Sequence, residues 1–516
     1  MIYDASAIDR DLTLEADLCV VGSGPGGMSA ATVAAEAGLR VVVLEAGAFL
    51  TPQDMTQREE DMLPQLLWAH GGRANTTRSV AIHQGKGVGG SSLHNLNLCK
   101  RIHPAVRDEW QRTRGLDALP DARWQELYAR VERWLEVSEV PEASWNRHNR
   151  LLHAGGEALG WAVGGMSHNR SGCVGSGFCE VGCAYDAKNN AAKVLTPRFI
   201  EAGGEILTFA KATHVRHRGG QVLGVDGVTL DAITNGARRR LRVNAPRVCL
   251  AASATSTAAL LLRSEVPDPS GATGTTLRVH PSPFIAGDFR EPVHAWRGIP
   301  QSVECTEFLD LEAAHPAGEA SGPPPLGTRT WIVTAFAHPM GVATLLPGLG
   351  AEHTAWMRRY AHLGVLTSVL HDFSAGRVVP RGRDGFAIEY ALTPHDRAEA
   401  ALGVARCAQL LVAAGATRVL LPGKRLEAYA PDEIGRLDAR PFDESTFPMT
   451  AVHPMGTTPM SDDPGLGPVD SRGAHHQVAG LWVADGSLFP TSIGGPPQLS
   501  IYALGAHVGD AIAASA

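Results

Sequence analysis

Cysteine is scarce in this chain, with eight in 516 residues. That is too few for a disulfide scaffold. Long apolar runs are missing as well, and none approaches the roughly 20 residues a spanning helix needs. The first stretch, MIYDASAIDRDLTLEADLCVV, has no basic segment followed by an apolar one, and no twin arginine. The expectation is therefore a cytoplasmic protein without an export signal or transmembrane segment. Positive charge is in deficit: the net charge of -7 argues against nucleic acid as the partner, because a phosphate-binding surface is basic. No internal repeat of fixed period is present. What remains is an ordinary globular balance, 44% hydrophobic and 19% charged, in a length that suits a large two-domain enzyme.

Residues 16–47, ADLCVVGSGPGGMSAATVAAEAGLRVVVLEAG, carry the clearest signal. Leu18 to Val21 read as a buried parallel strand. Gly22, Gly24 and Gly27 form G-x-G-x-x-G at its end, an Ala-rich helix follows to Ala37, and Gly38 fits its C′ position. A second strand ends at Glu45, about 20 positions past the glycines, where a ribose-binding carboxylate belongs. Strand, glycines, helix, strand and acid in that order predict a dinucleotide site.

Further along, THVRHRGGQVLGVDGV reads as a hairpin turning at Gly219-Gly220, and RVCLAASATSTAALLLRS as a strand entering a helix. Thr196-Pro197 and Thr393-Pro394 each open a helix. Residues 311–327, rich in Ala, Gly and Pro, read as an exposed loop. GKGVGGSSLHNLNLCKR (85–101) is dense in glycine, which lets backbone pass close to a ligand. Near the end stand HPMGTTPM and GLWVADGSLFPTSIGGPPQLSIYALG.

Together these segments resemble the glucose-methanol-choline (GMC) family of FAD-dependent oxidoreductases, over nearly the whole chain. Within it they look most like the long-chain alcohol oxidases and dehydrogenases. The resemblance implies a mixed α/β fold: a Rossmann-like FAD domain from residues 12–270 and 448–516, with a substrate domain on an antiparallel sheet inserted at 274–446. It implies that Gly22, Gly24 and Gly27 hold the FAD pyrophosphate and that Glu45 binds the ribose. Gly89, Gly90, Ser91 and Asn95 should lie along the flavin. Val215 should meet the adenine through its backbone, and Asp485 and Gly486 should approach the ribityl or pyrophosphate. His453 matches the family's histidine at flavin N5, where an imidazole can take the hydroxyl proton of an alcohol as hydride leaves its carbon. The implied substrate is a fairly apolar alcohol, and the electron acceptor is O2 or a redox partner.

Three features depart from a simple match. Relatives place a second active-site histidine or asparagine where this chain has Pro496, which can neither donate nor act as a base. Three readings are open: Ser492, Gln498 or Tyr502 supplies the second contact; the substrate needs none; or the chemistry is changed, as in the family's hydroxynitrile lyases. His94 either links covalently to the flavin, as its counterpart does in choline oxidases, or contacts it without a bond. Cys173, Cys179 and Cys183 form C-x5-C-x3-C. They are read either as ligands of an iron–sulfur cluster in a partner-linked dehydrogenase, as a zinc site with distant His168, or as thiols of a glycine-rich loop with at most one disulfide.

Overall fold

A computed structural model describes residues 1–316 and 324–516. The chain folds into a mixed α/β structure around a parallel and an antiparallel sheet. The parallel sheet runs Ile2–Asp4, Glu205–Thr208, Val41–Leu44, Leu18–Val21, Val248–Leu250, Leu481–Val483. Every pairing in it is parallel. Four of its strands are buried at every residue, which is why they read as unbroken apolar runs. The helix Pro25–Glu36 follows Leu18–Val21 and packs along the C-terminal helix Gln498–Ala514. Glycine makes that contact possible: a Cβ on Gly505 would stand 2.4 Å from the Gly26 carbonyl oxygen.

The antiparallel sheet runs Glu427–Tyr429, Arg418–Leu421, Ser282–Asp288, Leu363–Leu370, Thr330–Ala335, Val303–Cys305, Val163–Gly165. The helix Pro394–Ala413 packs against it, capped by Thr393, whose hydroxyl accepts from Asp396 N at 3.1 Å. The strand Met449–Ala451 joins this sheet beside Ser282 and pairs on its other side with Val80–Ile82. A third sheet contains the expected hairpin, Ala210–Arg218 with Gln221–Leu230. Both turn glycines have positive φ there, Gly219 at 58° and Gly220 at 74°, as a tight hairpin turn requires.

The sheets do not respect the expected borders. Ile2–Asp4 pairs into the parallel sheet ahead of residue 12, and Val163–Gly165 joins the antiparallel sheet from within 12–270. The stretch 311–327 is also not wholly a loop. Leu311–Ala314 is a short helix capped by Asp310, and Leu311 and His315 are buried. Apolar Leu311 anchors that turn against the core. Residues 317–323 of the expected loop lie outside the described residues.

Candidate active site

A cavity of about 580 Å³ lies where the C-terminal ends of the parallel strands face the antiparallel sheet. One wall is built by Gly22, Gly24, Glu45, Gly90, Ser91, His94 and Asn95, and another by Asp485, Gly486, Pro496 and Gln498. The far wall is the inner face of two antiparallel strands. Trp331, Val333 and Ala335 alternate along one, and Val365, Thr367 and Val369 along the next, the period of two that a strand gives to one face.

Backbone approaches backbone at the first wall. Gly22 has φ +99°, and a Cβ there would meet the Ala251 carbonyl oxygen at 2.3 Å. A Cβ on Gly90 would sit 2.8 Å from Gly24 Cα. Gly27 and Gly89 stand just behind this wall; a Cβ on Gly27 would strike the Gly22 carbonyl at 2.0 Å, so Gly27 serves helix–strand packing. No side chain caps the N-terminus of Pro25–Glu36 at Gly24. Its first N–H groups are left for an anion.

Glu45 is buried and joins three loops. One carboxylate oxygen accepts from Ser23 Oγ at 2.6 Å and Ser23 N at 3.2 Å, and the other from Gly47 N at 2.8 Å and Gly87 N at 3.0 Å. Ser91 Oγ accepts from Gly85 N at 2.9 Å. His94 Nε2 and Asn95 Oδ1 are buried without a protein partner. Burial, with the Lys188 charge adding to it, pushes His94 down to about 3, so its imidazole is neutral. Lys188 itself is buried, and its ammonium donates to the carbonyls of Leu93, Asn95 and Cys179 at 2.6–2.9 Å. Asp485 accepts from Ser487 and Thr257, and burial raises its pKa.

Val215 is elsewhere. It is fully buried off the cavity, and its N–H donates to Ser264 Oγ at 2.8 Å. Ala210, Lys211 and Ala212, earlier on the same strand, line the cavity instead. A register shift between Ala212 and His214 separates the two segments.

His453 lines the cavity two residues beyond the strand Met449–Ala451. None of the three expected neighbours bonds to it. Ser492 Oγ donates to Asp372 at 2.8 Å. Gln498 is occupied by Asn95, Leu98 and Asn169 and ties the glycine-rich loop to the C-terminal helix. Tyr502 is buried within that helix. The partner is His280, whose Nδ1 lies 3.2 Å from His453 Nδ1. His280 precedes the strand Ser282–Asp288, and Asp372 follows the adjacent strand Leu363–Leu370. Three neighbouring strand ends thus converge here. Sequence reading missed His280. Its one local signal, a His-Pro doublet like that of His453, is shared with His103, His315 and His338.

The three clustered cysteines are free thiols that line one small pocket with Arg170 and Lys188. Cys173 Sγ accepts from Gly175 N at 3.4 Å and Cys183 Sγ from Ala187 N at 3.3 Å. Burial raises the pKa of Cys179. Among the described residues no group of three or more His, Cys, Asp or Glu side chains is arranged to hold a metal ion. His168 is turned away to the Gln301 carbonyl at 2.9 Å. The iron–sulfur and zinc expectations therefore find no support.

Glycine-rich turns against an uncapped helix, an acid after the second strand and a histidine across the cavity form one constellation. The GMC oxidoreductase family model matches residues 26–282 with its N-terminal part and 373–505 with its C-terminal part. The chain belongs to the GMC oxidoreductase family. An uncharacterized GMC-type oxidoreductase of Mycobacterium tuberculosis is 32% identical, over 98% of this chain and 79% of that protein. A long-chain-alcohol oxidase of Arabidopsis thaliana is 26% identical, over 95% of this chain and 67% of that one. Among solved structures, pyridoxine 4-oxidase from Mesorbium loti superposes with TM-score 0.69 at 18% identity, covering 96% of this chain and 98% of that one. A formate oxidase of Aspergillus oryzae, whose structure concerns FAD modification, gives 0.70 at 16%, covering 99% of both chains. These two likenesses bear on the fold. Among the described residues no helix of this GMC oxidoreductase is long and apolar enough to cross a membrane.

Proposed function

We propose that this GMC oxidoreductase uses FAD to oxidise a largely apolar alcohol to its carbonyl, with the reacting carbon held beside His453. The observation that carries this reading is one continuous cavity. It joins the uncapped helix at Gly24 to His453 and then follows the apolar strand face of Val333 and Val365.

The residues present fit FAD. Free N–H groups at Gly24 suit a pyrophosphate. Glu45 suits a ribose, whose hydroxyl would take the place of the Ser23 hydroxyl, the one side-chain donor among its four. His94 Nε2 and Asn95 Oδ1 are buried polar atoms still in need of partners, and such atoms are costly unless a ligand satisfies them. Bound FAD would supply the two-electron acceptor for a hydride. The protein's own part is to exclude water, seat an alkyl chain against the strands and hold the substrate oxygen at His453. Long-chain-alcohol oxidases among the relatives support an apolar alcohol as substrate.

The test is to load the purified protein with FAD and add 1-alkanols from butanol to dodecanol without oxygen. Flavin bleaching that quickens with chain length, with aldehyde formed in equal amount, is the expected result. Substrate cleavage with the flavin still oxidised would make the enzyme a lyase. Failure to bind FAD would overturn the reading.

A further inference from the structure

His280 stands at a strained point. Its φ is +51°, a region that non-glycine residues seldom occupy and that persists where surroundings enforce it. The enforcing group is Asp372. Its carboxylate accepts from the backbone N–H groups of Val279 and His280 at 3.1 and 3.2 Å, from Ser492 Oγ at 2.8 Å and from Tyr390 Oη at 2.7 Å. This array fixes an imidazole that is 1% exposed.

The ring's hydrogen bonds determine where its proton sits. His280 Nε2 faces two backbone N–H groups, of Ile493 at 3.4 Å and Gly494 at 3.3 Å. Both are donors, so Nε2 must offer its lone pair. A neutral imidazole then carries its proton on Nδ1, and Nδ1 is the atom 3.2 Å from His453 Nδ1. The imidazole is neutral because burial pushes its pKa down to about 3. His453 Nδ1 must therefore accept. Burial also holds His453 well below its ordinary value, so it is neutral as well, and its single proton is on Nε2. That nitrogen has no protein partner among the described residues, and His453 lines the cavity.

We infer that His280 is a positioning residue that fixes His453 as a hydrogen-bond donor, through Nε2–H, to the substrate oxygen. The inference rests on the proposed function in taking His453 to face the substrate. It narrows that function: in this tautomer His453 has no lone pair for the hydroxyl proton, so both the hydride and that proton would be taken up by FAD, giving carbonyl and two-electron-reduced, doubly protonated FAD. The part of His453 is to stabilise the negative charge left on the oxygen as its proton departs. The opposite tautomer would set a His280 Nε2–H against two backbone N–H groups. The Ile493-Gly494 segment that dictates this lies two residues before Pro496. The turn that lacks a second active-site side chain thus acts on His453 through His280.

A neutron structure of the FAD-loaded wild-type enzyme at neutral pH tests this directly. Deuterium on His280 Nδ1 and on His453 Nε2 is expected; deuterium on His453 Nδ1 overturns it. Two variants give a kinetic reading. His280→Leu removes the donor and should slow flavin bleaching roughly 10–100-fold, the usual effect of losing an orienting partner, with KM and flavin content unchanged. His280→Asn puts an amide N–H where Nδ1 stood and should recover most of that rate. A leucine variant as fast as wild type overturns the inference. If the leucine variant does not fold, the neutron map still decides. Failure of the proposed function looks different: alcohols would then leave the wild-type flavin oxidised, whatever the tautomer.

Discussion

At His453 two replacements separate charge stabilisation from mere shape. His453→Ala should slow anaerobic flavin reduction by roughly 10²–10³-fold, as removal of a donor to a developing oxyanion does. His453→Gln, whose amide can place an N–H near the same point, should lose less, and stopped-flow absorbance compares them. The depressed pKa of His453 arises first from burial and then from neighbouring His280. Both imidazoles stay neutral above their depressed values, so the bleaching rate should be level across the ordinary histidine range, on both sides of about pH 6.5. A limb centred near 6.5 in that profile would count against a buried neutral His453. His453 was legible because its motif is local. His280 was not, because what distinguishes it from the other His-Pro doublets is the carboxylate of Asp372 and the N–H groups of residues 493 and 494, all remote in the chain. Gln498 showed the converse. It lies two residues past the expected position, yet its amide is used up in holding Asn95 and Leu98.

Among elements, the contact of the first helix with the last controls the glycine turn. Gly505→Ala would drive a methyl to 2.4 Å from the Gly26 carbonyl, and overpacking of this kind costs about 1–3 kcal/mol. A lower Tm and faster FAD loss should appear together, since Gly26 lies between Gly24 and Gly27. The helix Pro394–Ala413 is pinned to its sheet by a fully buried ion pair, Asp396 with Arg329 at 2.6 Å. Asp396→Ala leaves the guanidinium buried and uncompensated and should destabilise by about 3–5 kcal/mol, measurable by urea unfolding. The βαβ start was legible since its strands are short apolar runs and its turns are glycines. The antiparallel strands that form the far wall of the cavity were not. Each is buried on both faces, as in TWIVTA, where all but the last residue are buried, so no alternation in the sequence separates the cavity side from the core side.

For the whole molecule, buried histidine governs acid stability. His148, His168, His280, His371, His475 and His507 are buried and all lowered, chiefly by burial. An unfolded chain protonates them below about 6.5, while the folded one does not until about 3 to 4 where values are resolved. Their contribution to stability is full above pH 6.5 and is lost as pH falls toward 4. Glu180, raised by burial to about 8, and the raised Asp372 and Asp485 act in the opposite sense. Six imidazoles outweigh three carboxyls, so Tm should drop between pH 6.5 and 4 in calorimetry. The two-sheet plan was visible in the order of motifs, but its borders were not, because Ile2–Asp4 and Val163–Gly165 add strands across them through long-range pairing. The central claim, hydride removal from an apolar alcohol in the cavity beside His453, is tested most directly by one single-turnover measurement. FAD-loaded enzyme is mixed without oxygen with dodecanol, then with dodecanol deuterated at the carbinol carbon, and flavin absorbance is followed. Bleaching with both, several-fold slower with deuterium, is the predicted result. Flavin that stays oxidised with either alcohol would contradict it.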